Sequence, residues 1–227
     1  TCALPIFELL GVFQLYGADA CTVDGAILSS VVPPLTTIFT DAIARLTGIP
    51  PMVVGPGIRT GLNIKAEIHN QLGSDIVASS VAAIAKYQSP IVMVDMGTAT
   101  SLSLIVGSVY EGCIIMPGLA LALDALSERA AALPPISIET ASPVGLMGHT
   151  TEEAMRSGVL YGHASMVDGM LERIEESIGQ SVTTVATGGN APRILRYCKR
   201  PIQYDADLIM TGLYLLYQKN AKKYRKA

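Results

Sequence analysis

The sequence is poor in charged residues and shows no metal-binding or disulfide pattern. Only 15% of its 227 residues are charged, and 16 basic residues stand against 19 acidic ones, which gives no electrostatic basis for nucleic-acid binding. The four cysteines form no CxxC pair, so we expect reduced, mostly buried thiols in a cytoplasmic protein. These cysteines are Cys2, Cys21, Cys113 and Cys198. The three histidines, His69, His149 and His163, lack ligand spacing, which argues against zinc. We expect surface or packing roles for His149 and His163.

Long apolar runs and flexible linkers are also missing. No apolar run reaches the length of a membrane-spanning helix, and no charged region precedes the first apolar residues. We therefore expect neither a membrane anchor nor a signal peptide. Without a stretch rich in Ser or Gly, any two domains should be joined compactly. Half of the residues are hydrophobic, which is typical of a well-packed globular protein with one large domain or two small ones.

Predicted helices and strands alternate along the chain in the manner of an α/β protein. Helical spacing of apolar residues predicts helices at residues 4–15, 35–46, 75–87, 119–132, 151–178 and 209–217. Short apolar or alternating runs predict strands at residues 25–32, 52–54, 110–116 and 183–186, and a hairpin at 91–104. Thr150 or Thr151 is expected to cap the long fifth helix.

The turn of the hairpin at residues 91–104 is suited to binding a polyphosphate. Gly97 lets the backbone approach closely, while backbone N–H groups and the Thr98 and Thr100 hydroxyls can donate to phosphate oxygens. Asp95 can hold a cation. The alternative is an ordinary buried hairpin whose Asp and Thr residues only cap the turn. Taken alone, these few residues favour the ordinary hairpin.

A series of short motifs resembles the type III pantothenate kinases, which belong to the superfamily of acetate and sugar kinases, actin and heat-shock ATPases. The resemblance runs from about Gly25 to Asn220, and each motif is weak alone while the ordered series is highly specific. The motifs in order are Ser29-Ser30-Val31-Val32-Pro33-Pro34, Gly55-Pro56-Gly57, Thr60-Gly61-Leu62, Gly73-Ser74-Asp75, Asp95-Met96-Gly97-Thr98-Ala99-Thr100, Met116-Pro117-Gly118, Leu133-Pro134, Thr151-Glu152-Glu153-Ala154, Ser157-Gly158 and Thr187-Gly188-Gly189.

This resemblance implies two ribonuclease H-like domains with a nucleotide cleft between them, at residues 1–89 and 90–227. It also implies ATP-dependent phosphorylation of pantothenate to 4'-phosphopantothenate, the first step of coenzyme A biosynthesis. The implied cofactors are ATP with magnesium and a monovalent cation, potassium or ammonium, and the implied assembly is a homodimer. The opening Asp-x-Gly-Asn-Thr phosphate loop of the family does not occur before Ser29, so we expect the first domain to be incomplete at its N-terminus.

For the substrate, the resemblance implies that Asp75 is the catalytic base and that Gly73, Ser74 and Ile76 line the pantothenate beside it. Phosphoryl transfer needs such a carboxylate to accept the proton of the attacking hydroxyl. Thr151 would reach the pantothenate site at a dimer interface. The alternatives are that Asp75 is an N-cap or first-turn carboxylate and that Thr151 is no more than a cap.

For the nucleotide, the resemblance implies that Asp95 holds the monovalent cation and that Gly97 and Thr98 contact ATP. Gly188 and Gly189 would lie against the adenosine end. Taken by itself, Thr187-Gly188-Gly189 is more common as a tight strand-to-helix turn than as a nucleotide contact.

Two positions depart from the family pattern: Ile76 replaces a common Arg, and Ala66 stands at an aromatic position near the substrate. Two other functions therefore stay open. One is a catalytically inactive paralogue that binds a small molecule or serves as a regulatory subunit, and the other is a kinase for another small hydroxyl substrate. The stripe formed by Met166, Met170 and Ile174 is the candidate dimer contact, with intramolecular core as its alternative.

Overall fold

The computed structural model describes residues 3–65, 72–139 and 144–221, with side chains from Pro5 onward. The chain forms two compact units: unit 1 comprises Thr1–Ala85 and Asp207–Ala227, and unit 2 comprises Lys86–Ala206. Helices and strands alternate, so the α/β class predicted from the sequence is confirmed. The predictions for Cys2, Ala66 and His69 lie outside the described residues.

All six predicted helices are present within the described ranges. The helices are α1 (Ala3–Leu15), α2 (Pro33–Thr47), α3 (Ser74–Lys86), α4 (Leu119–Arg129), α5 (Thr151–Ile178), the unpredicted short α6 (Ala191–Ile194) and α7 (Leu208–Asn220). The strands are β1 (Ile27–Leu28), β2 (Met52–Val53), β3 (Asn63–Ile64), β4 (Ile91–Met96), β5 (Ala99–Val106), β6 (Val109–Pro117), β7 (Thr183–Thr187) and β8 (Gln203–Tyr204). Strands β3 and β8 were not predicted.

Strand β1 is much shorter than the strand predicted at residues 25–32. The Ser30 hydroxyl oxygen accepts a hydrogen bond from Val32 N at 3.2 Å, which bends the chain locally. Pro33 then begins α2 instead of merely stopping the strand, because its fixed φ suits the first turn of a helix. Gly48 ends α2 in the left-handed conformation, with φ of 73°, as its position after the last apolar residues suggests.

In unit 1, helix α7 packs closely on α3. A Cβ on Gly212 would overlap the Ala78 carbonyl oxygen, so the two helices meet where α7 has no side chain. Leu216 of α7 joins Val54, Ala78 and Val81 in one buried cluster. The sequence-based division placed α7 in the second domain. In the structure, these contacts group it with unit 1 instead.

In unit 2, the strands lie in the order β6-β5-β4-β7-β8. Strand β5 pairs antiparallel with β4 and β6, whereas β7 pairs parallel with β4 and β8. Val92, Val94 and Met96 of β4 face a core that includes helices α4 and α5. Because successive side chains of a strand point to opposite faces, Asp95 lies on the other face of the sheet.

The apolar stripe of α5 belongs largely to this core. Ile174 is buried in it and Met170 packs against it, while Met166 is 36% exposed. Ile174 and Met170 thus follow the intramolecular-core alternative, since helical periodicity turns this part of the stripe toward the core of unit 2, while a dimer contact at the exposed Met166 stays a prediction. None of the helices in the described ranges is both long and apolar enough to cross a membrane.

The thiols differ from the prediction. Cys21 and Cys113 are exposed, and Cys198 is partly buried. The expectation of mostly buried thiols is therefore wrong for Cys21 and Cys113, whereas Cys198 meets it in part. Cys21 lies in a short 3-10 turn at Ala20–Thr22, of which Ala20 is the buried residue.

Candidate functional site

The β4–β5 connection forms the tight turn expected from its sequence. Gly97 N donates a hydrogen bond to Ala99 O at 3.0 Å, so the chain reverses over Gly97 and Thr98. Thr98 is exposed at the tip of this turn. Its hydroxyl and the neighbouring backbone form a small polar surface of the kind that can bind phosphate oxygens.

Polar residues from the two neighbouring strands lie beside Asp95. In the sheet register, Asp95 is opposite Ser101 of β5 and opposite Thr187 of β7, on the same face of the sheet. Asp95 is partly buried, while Thr187 is buried. This face thus presents one carboxylate between two hydroxyl-bearing residues. Oxygen ligands of this kind suit an alkali-metal or alkaline-earth cation.

Gly188 brings the backbone that follows β7 against Asp95. Its φ is 94°, and a Cβ on it would lie 2.7 Å from Asp95 Oδ1 and 2.7 Å from Met96 O. Both the conformation and the close approach require glycine at this position. A Cβ on the exposed Gly189 would meet nothing within 4 Å, so this part of the loop borders open space.

Asn190 fastens the loop after β7 to the β4–β5 turn. Its backbone N–H donates to Met96 O at 3.1 Å, and its side-chain amide donates to Gly97 O at 3.2 Å. The sequence interpretation did not assign Asn190 to the site. The Asn that follows two glycines was the available signal, but its hydrogen bond to a residue 93 positions away depends on the sheet register.

Gly118 supports the β4–β5 turn from another side. Its N–H donates to Thr98 O at 3.1 Å. A Cβ on Gly118 would lie 2.6 Å from Gly97 O and closer still to Thr98 O. The turn therefore rests directly on the backbone of Gly118, which explains the glycine in the Met116-Pro117-Gly118 motif.

The substrate residues predicted in unit 1 surround the start of α3. The Ser74 hydroxyl lies 2.8 Å from the Ser29 hydroxyl and donates to Ser30 O at 3.3 Å. These bonds tie α3 to the loop that follows β1. Neither Ser29 nor Ser30 was predicted to be a site residue, although both belong to the first family motif.

Asp75 lies in the first turn of α3, where the helix dipole stabilises a carboxylate. Its Oδ1 atom accepts a hydrogen bond from Ile76 N at 2.9 Å. A Cβ on Gly73 would overlap Oδ1 of Asp75, so the glycine makes room for this carboxylate. The residue after Asp75 thus holds the carboxylate through its backbone N–H. This hydrogen bond does not depend on the side chain, so it is possible with Ile76 as well as with the Arg that is common at this position in the family.

Thr151 is the exposed first residue of α5. The cap is formed by Thr150, whose side chain accepts from Glu153 N at 3.2 Å, while Glu153 Oε2 accepts from Thr150 N at 3.3 Å. The alternative that Thr151 is the cap is therefore wrong. Because Thr150 caps the helix, the Thr151 side chain is not needed for this purpose.

Within unit 2, the structure brings together Asp95, Gly97, Thr98 and Gly188, with Gly189 next to them in the chain. Gly73, Ser74, Asp75 and Ile76 are grouped in unit 1, and Thr151 begins α5 in unit 2. In the described parts of the chain, no three His, Cys, Asp or Glu side chains cluster as metal ligands. A cation at Asp95 would therefore take hydroxyl, backbone or ligand oxygens beside a single carboxylate.

Comparisons with known proteins agree with the motif series. The family model for type III pantothenate kinase matches residues 8–173. A type III pantothenate kinase of an Exiguobacterium species is 41% identical over 201 residues, covering 88% of this chain and 78% of that protein. The corresponding protein of Bacillus cytotoxicus is 41% identical over 200 residues, covering 88% of this chain and 76% of its own length.

A solved structure supports the fold independently. The crystal structure of a Baf family transcriptional activator from Campylobacter jejuni superimposes with a TM-score of 0.54 at 21% identity, covering 76% of this chain and 74% of that one. At this identity the likeness shows the fold alone. The family match and the identity to the two relatives show more: the chain belongs to the type III pantothenate kinase family.

Proposed function

We propose that the protein phosphorylates pantothenate with ATP as phosphoryl donor, the first step of coenzyme A biosynthesis. The family assignment supports this function. The structural observation that carries it is the approach of Gly188 to Asp95 beside the Gly97–Thr98 turn, which is held by Gly118 and Asn190. A turn fixed in this way can present backbone and hydroxyl donors to phosphates without reorganising.

In unit 2, the Thr98 hydroxyl and the Gly97 backbone bind phosphate oxygens of the nucleotide. Asp95 holds a potassium or ammonium ion, whose positive charge offsets part of the phosphate charge. The loop of Gly188 and Gly189, which borders open space at Gly189, accommodates the adenosine end, and magnesium accompanies the nucleotide. The hydroxyl-bearing neighbours of Asp95 on the same face of the sheet fit a cation that prefers oxygen ligands.

In unit 1, Asp75 accepts the proton of the pantothenate primary hydroxyl, while Gly73, Ser74 and Ile76 line the substrate. The hydroxyl oxygen forms a bond to the γ-phosphorus, the bond between that phosphorus and the β–γ bridging oxygen breaks, and ADP leaves. We regard each unit as a ribonuclease H-like domain, with the boundaries that the compact units give.

The protein acts as a homodimer in which Thr151 contributes to the pantothenate site. Leu146 and Met147, which shortly precede α5, are 64% and 77% exposed. Large apolar side chains that are exposed side by side gain free energy when a partner covers them. Because Thr151 lies only a few residues further along, this surface is our candidate for the contact between the two copies.

The enzyme assignment is tested by Asp75→Asn. Asn keeps the size of the side chain and is a good capping residue, but it cannot accept the proton. We expect ATP and pantothenate to bind normally, the melting temperature to be unchanged, and kcat to fall by about two to four orders of magnitude. The exposed Asp41 on α2 provides the control, Asp41→Asn, which should retain full turnover.

Near-normal turnover in Asp75→Asn would contradict the proposed role of Asp75. If the unaltered protein bound nucleotide and pantothenate but produced no phosphopantothenate, the inactive-paralogue alternative would replace the proposed function. Turnover with a different small alcohol at higher kcat/KM would favour the third alternative, a kinase for another hydroxyl substrate.

A further inference from the structure

His163 on α5 is a buried polar residue that the proposed catalytic mechanism does not use. Its side chain is 2% exposed. Nδ1 lies 2.9 Å from Val159 O, and Nε2 lies 3.0 Å from Pro117 O. A neutral imidazole carries one N–H and can donate to only one of these oxygens. Val159 lies one turn away in the same helix, so a backbone N–H of α5 can donate to its carbonyl oxygen. Pro117, in contrast, lies 46 residues away in the sequence.

The Pro117 carbonyl belongs to the same peptide group as the Gly118 N–H. When the proton is on His163 Nε2, this peptide group accepts a hydrogen bond from His163 at one end, while its N–H donates to Thr98 O at 3.1 Å at the other end. Because a peptide group is planar, a rotation that breaks the first bond also moves the donor of the second. Hydrogen bonds connected through one peptide group also polarise one another.

Gly118 transmits this constraint sterically as well. Its backbone fits so closely under the turn that a Cβ would lie 2.6 Å from Gly97 O. A small rotation of the Pro117–Gly118 peptide therefore changes the position of both carbonyl groups at the tip of the turn. Thr98, which carries the exposed hydroxyl, moves with them.

We propose that His163, with its proton on Nε2, is a positioning residue for the nucleotide-binding turn. It acts through the Pro117–Gly118 peptide and does not touch the nucleotide. This inference rests on the proposed function, because that function makes the Gly97–Thr98 turn the site of phosphate binding. It assigns a role to a buried histidine that the sequence pattern suggests is a packing residue.

A matched pair of amide variants tests the proposal. In His163→Gln, the amide nitrogen can take the place of Nε2 near Pro117 O, whereas in His163→Asn the side chain is one methylene shorter and its amide takes the place of Nδ1. We expect the Asn variant to bind ATP about three- to tenfold more weakly, as the loss of one buried hydrogen bond predicts. The Gln variant should stay within about twofold of the unaltered protein.

Val167→Ala serves as a stability control, because Val167 is a fully buried core residue one helical turn further along α5. It should lower the melting temperature without changing ATP affinity. Hydrogen exchange of the Gly118 amide, measured without nucleotide, should accelerate in His163→Asn and not in Val167→Ala. This readout follows the peptide itself, whereas a purely structural role of His163 would make exchange follow the loss of stability in both variants.

Equal ATP affinity in the Asn and Gln variants, or an equal loss in Val167→Ala, would overturn the role of His163. These results are separable from the fate of the proposed function. If the affinity difference and the exchange difference are found in a protein that does not phosphorylate pantothenate, the proposed function fails and the role of His163 stands. If the unaltered protein phosphorylates pantothenate but His163→Asn and His163→Gln bind ATP equally well, the proposed function stands and the role of His163 fails.

Discussion

Asp95 illustrates how the backbone of unit 2 is arranged around one carboxylate. Gly188 approaches it with a positive φ, and Ser101 and Thr187 lie opposite it in neighbouring strands. If Asp95 only capped its own turn, the loop after β7 would not need a glycine, Gly188, so close to the Asp95 carboxylate. The arrangement therefore favours a cation or ligand role for Asp95 over the turn-capping alternative.

The cation role predicts that ATP binds more tightly in potassium than in sodium salts. Asp95→Asn should remove most of this dependence, because a neutral amide offsets less of the charge of the cation. Calorimetric titration with ATP in the two salts measures both effects. The exposed residue Asp41 again gives the control, since Asp41→Asn should keep the preference for potassium. Equal affinity of the unaltered protein in the two salts would assign Asp95 a structural role.

The described cysteines should differ in their reactivity. Burial, followed by the negative charge of Asp168, raises the pKa of the Cys198 thiol to about 12. Since the thiolate is the reactive form, a raised pKa leaves very little of it at pH 8. Iodoacetamide at pH 8 should therefore label the exposed Cys21 and Cys113 well before Cys198. Mass spectrometry of the labelled peptides measures the order, and equal rates in the native protein would contradict this prediction. In denaturant all three thiols should react alike.

The helices and strands show which features the sequence could reveal. Helices of three or more turns were predicted because apolar residues repeat on one face, as in α2 and α3. Strands β3 and β8 have two residues each and α6 has four, so none of them contains a full repeat. The apolar pattern of α7 predicted a helix but could not identify its partner. Tertiary packing assigned it to unit 1.

The candidate site was predictable to the extent that it depends on local turn chemistry. Asp95, Gly97 and Thr98 stand close together in one turn, and the ordered family motifs were then needed to assign them to the site. The contributions of Gly118 and Asn190 depend on strand register and on contacts across the sheet. Such contacts have no local sequence pattern, so without the structure Gly118 remained part of an unexplained motif and Asn190 was assigned no role.

The contact between α7 and α3 predicts an unusual response to Gly212→Ala. Alanine is favoured over glycine in a helix by about 1 kcal/mol. At this position, however, the added methyl group would overlap Ala78 O, and overpacking costs about 1–3 kcal/mol or more. We therefore expect a lower melting temperature. Gly158→Ala in α5 is the control, because a Cβ there meets nothing within 4 Å, and it should raise the melting temperature. A rise in both variants would contradict close packing of α7 on α3.

The chain as a whole is expected to associate with a second copy. Light scattering at micromolar concentration should give twice the mass of one chain. Replacing both Leu146 and Met147 with serine should shift the equilibrium toward the monomer, because the apolar area available for burial decreases. Phe7→Ser on α1 removes an apolar side chain that is 70% exposed elsewhere, and it should leave the mass unchanged. A monomeric unaltered protein would exclude the homodimer under these conditions.

The division of unit 1 into two chain segments has a consequence for protein synthesis. Unit 2 is contiguous from Lys86 to Ala206, so all of its residues are synthesised before α7. Unit 2 can therefore begin to fold before α7 emerges, whereas Val54, Ala78 and Val81 lack their partner Leu216 until α7 has left the ribosome. In the nascent chain, the earlier-synthesised segment thus completes its core last. During this delay, its exposed apolar surface is a target for chaperones.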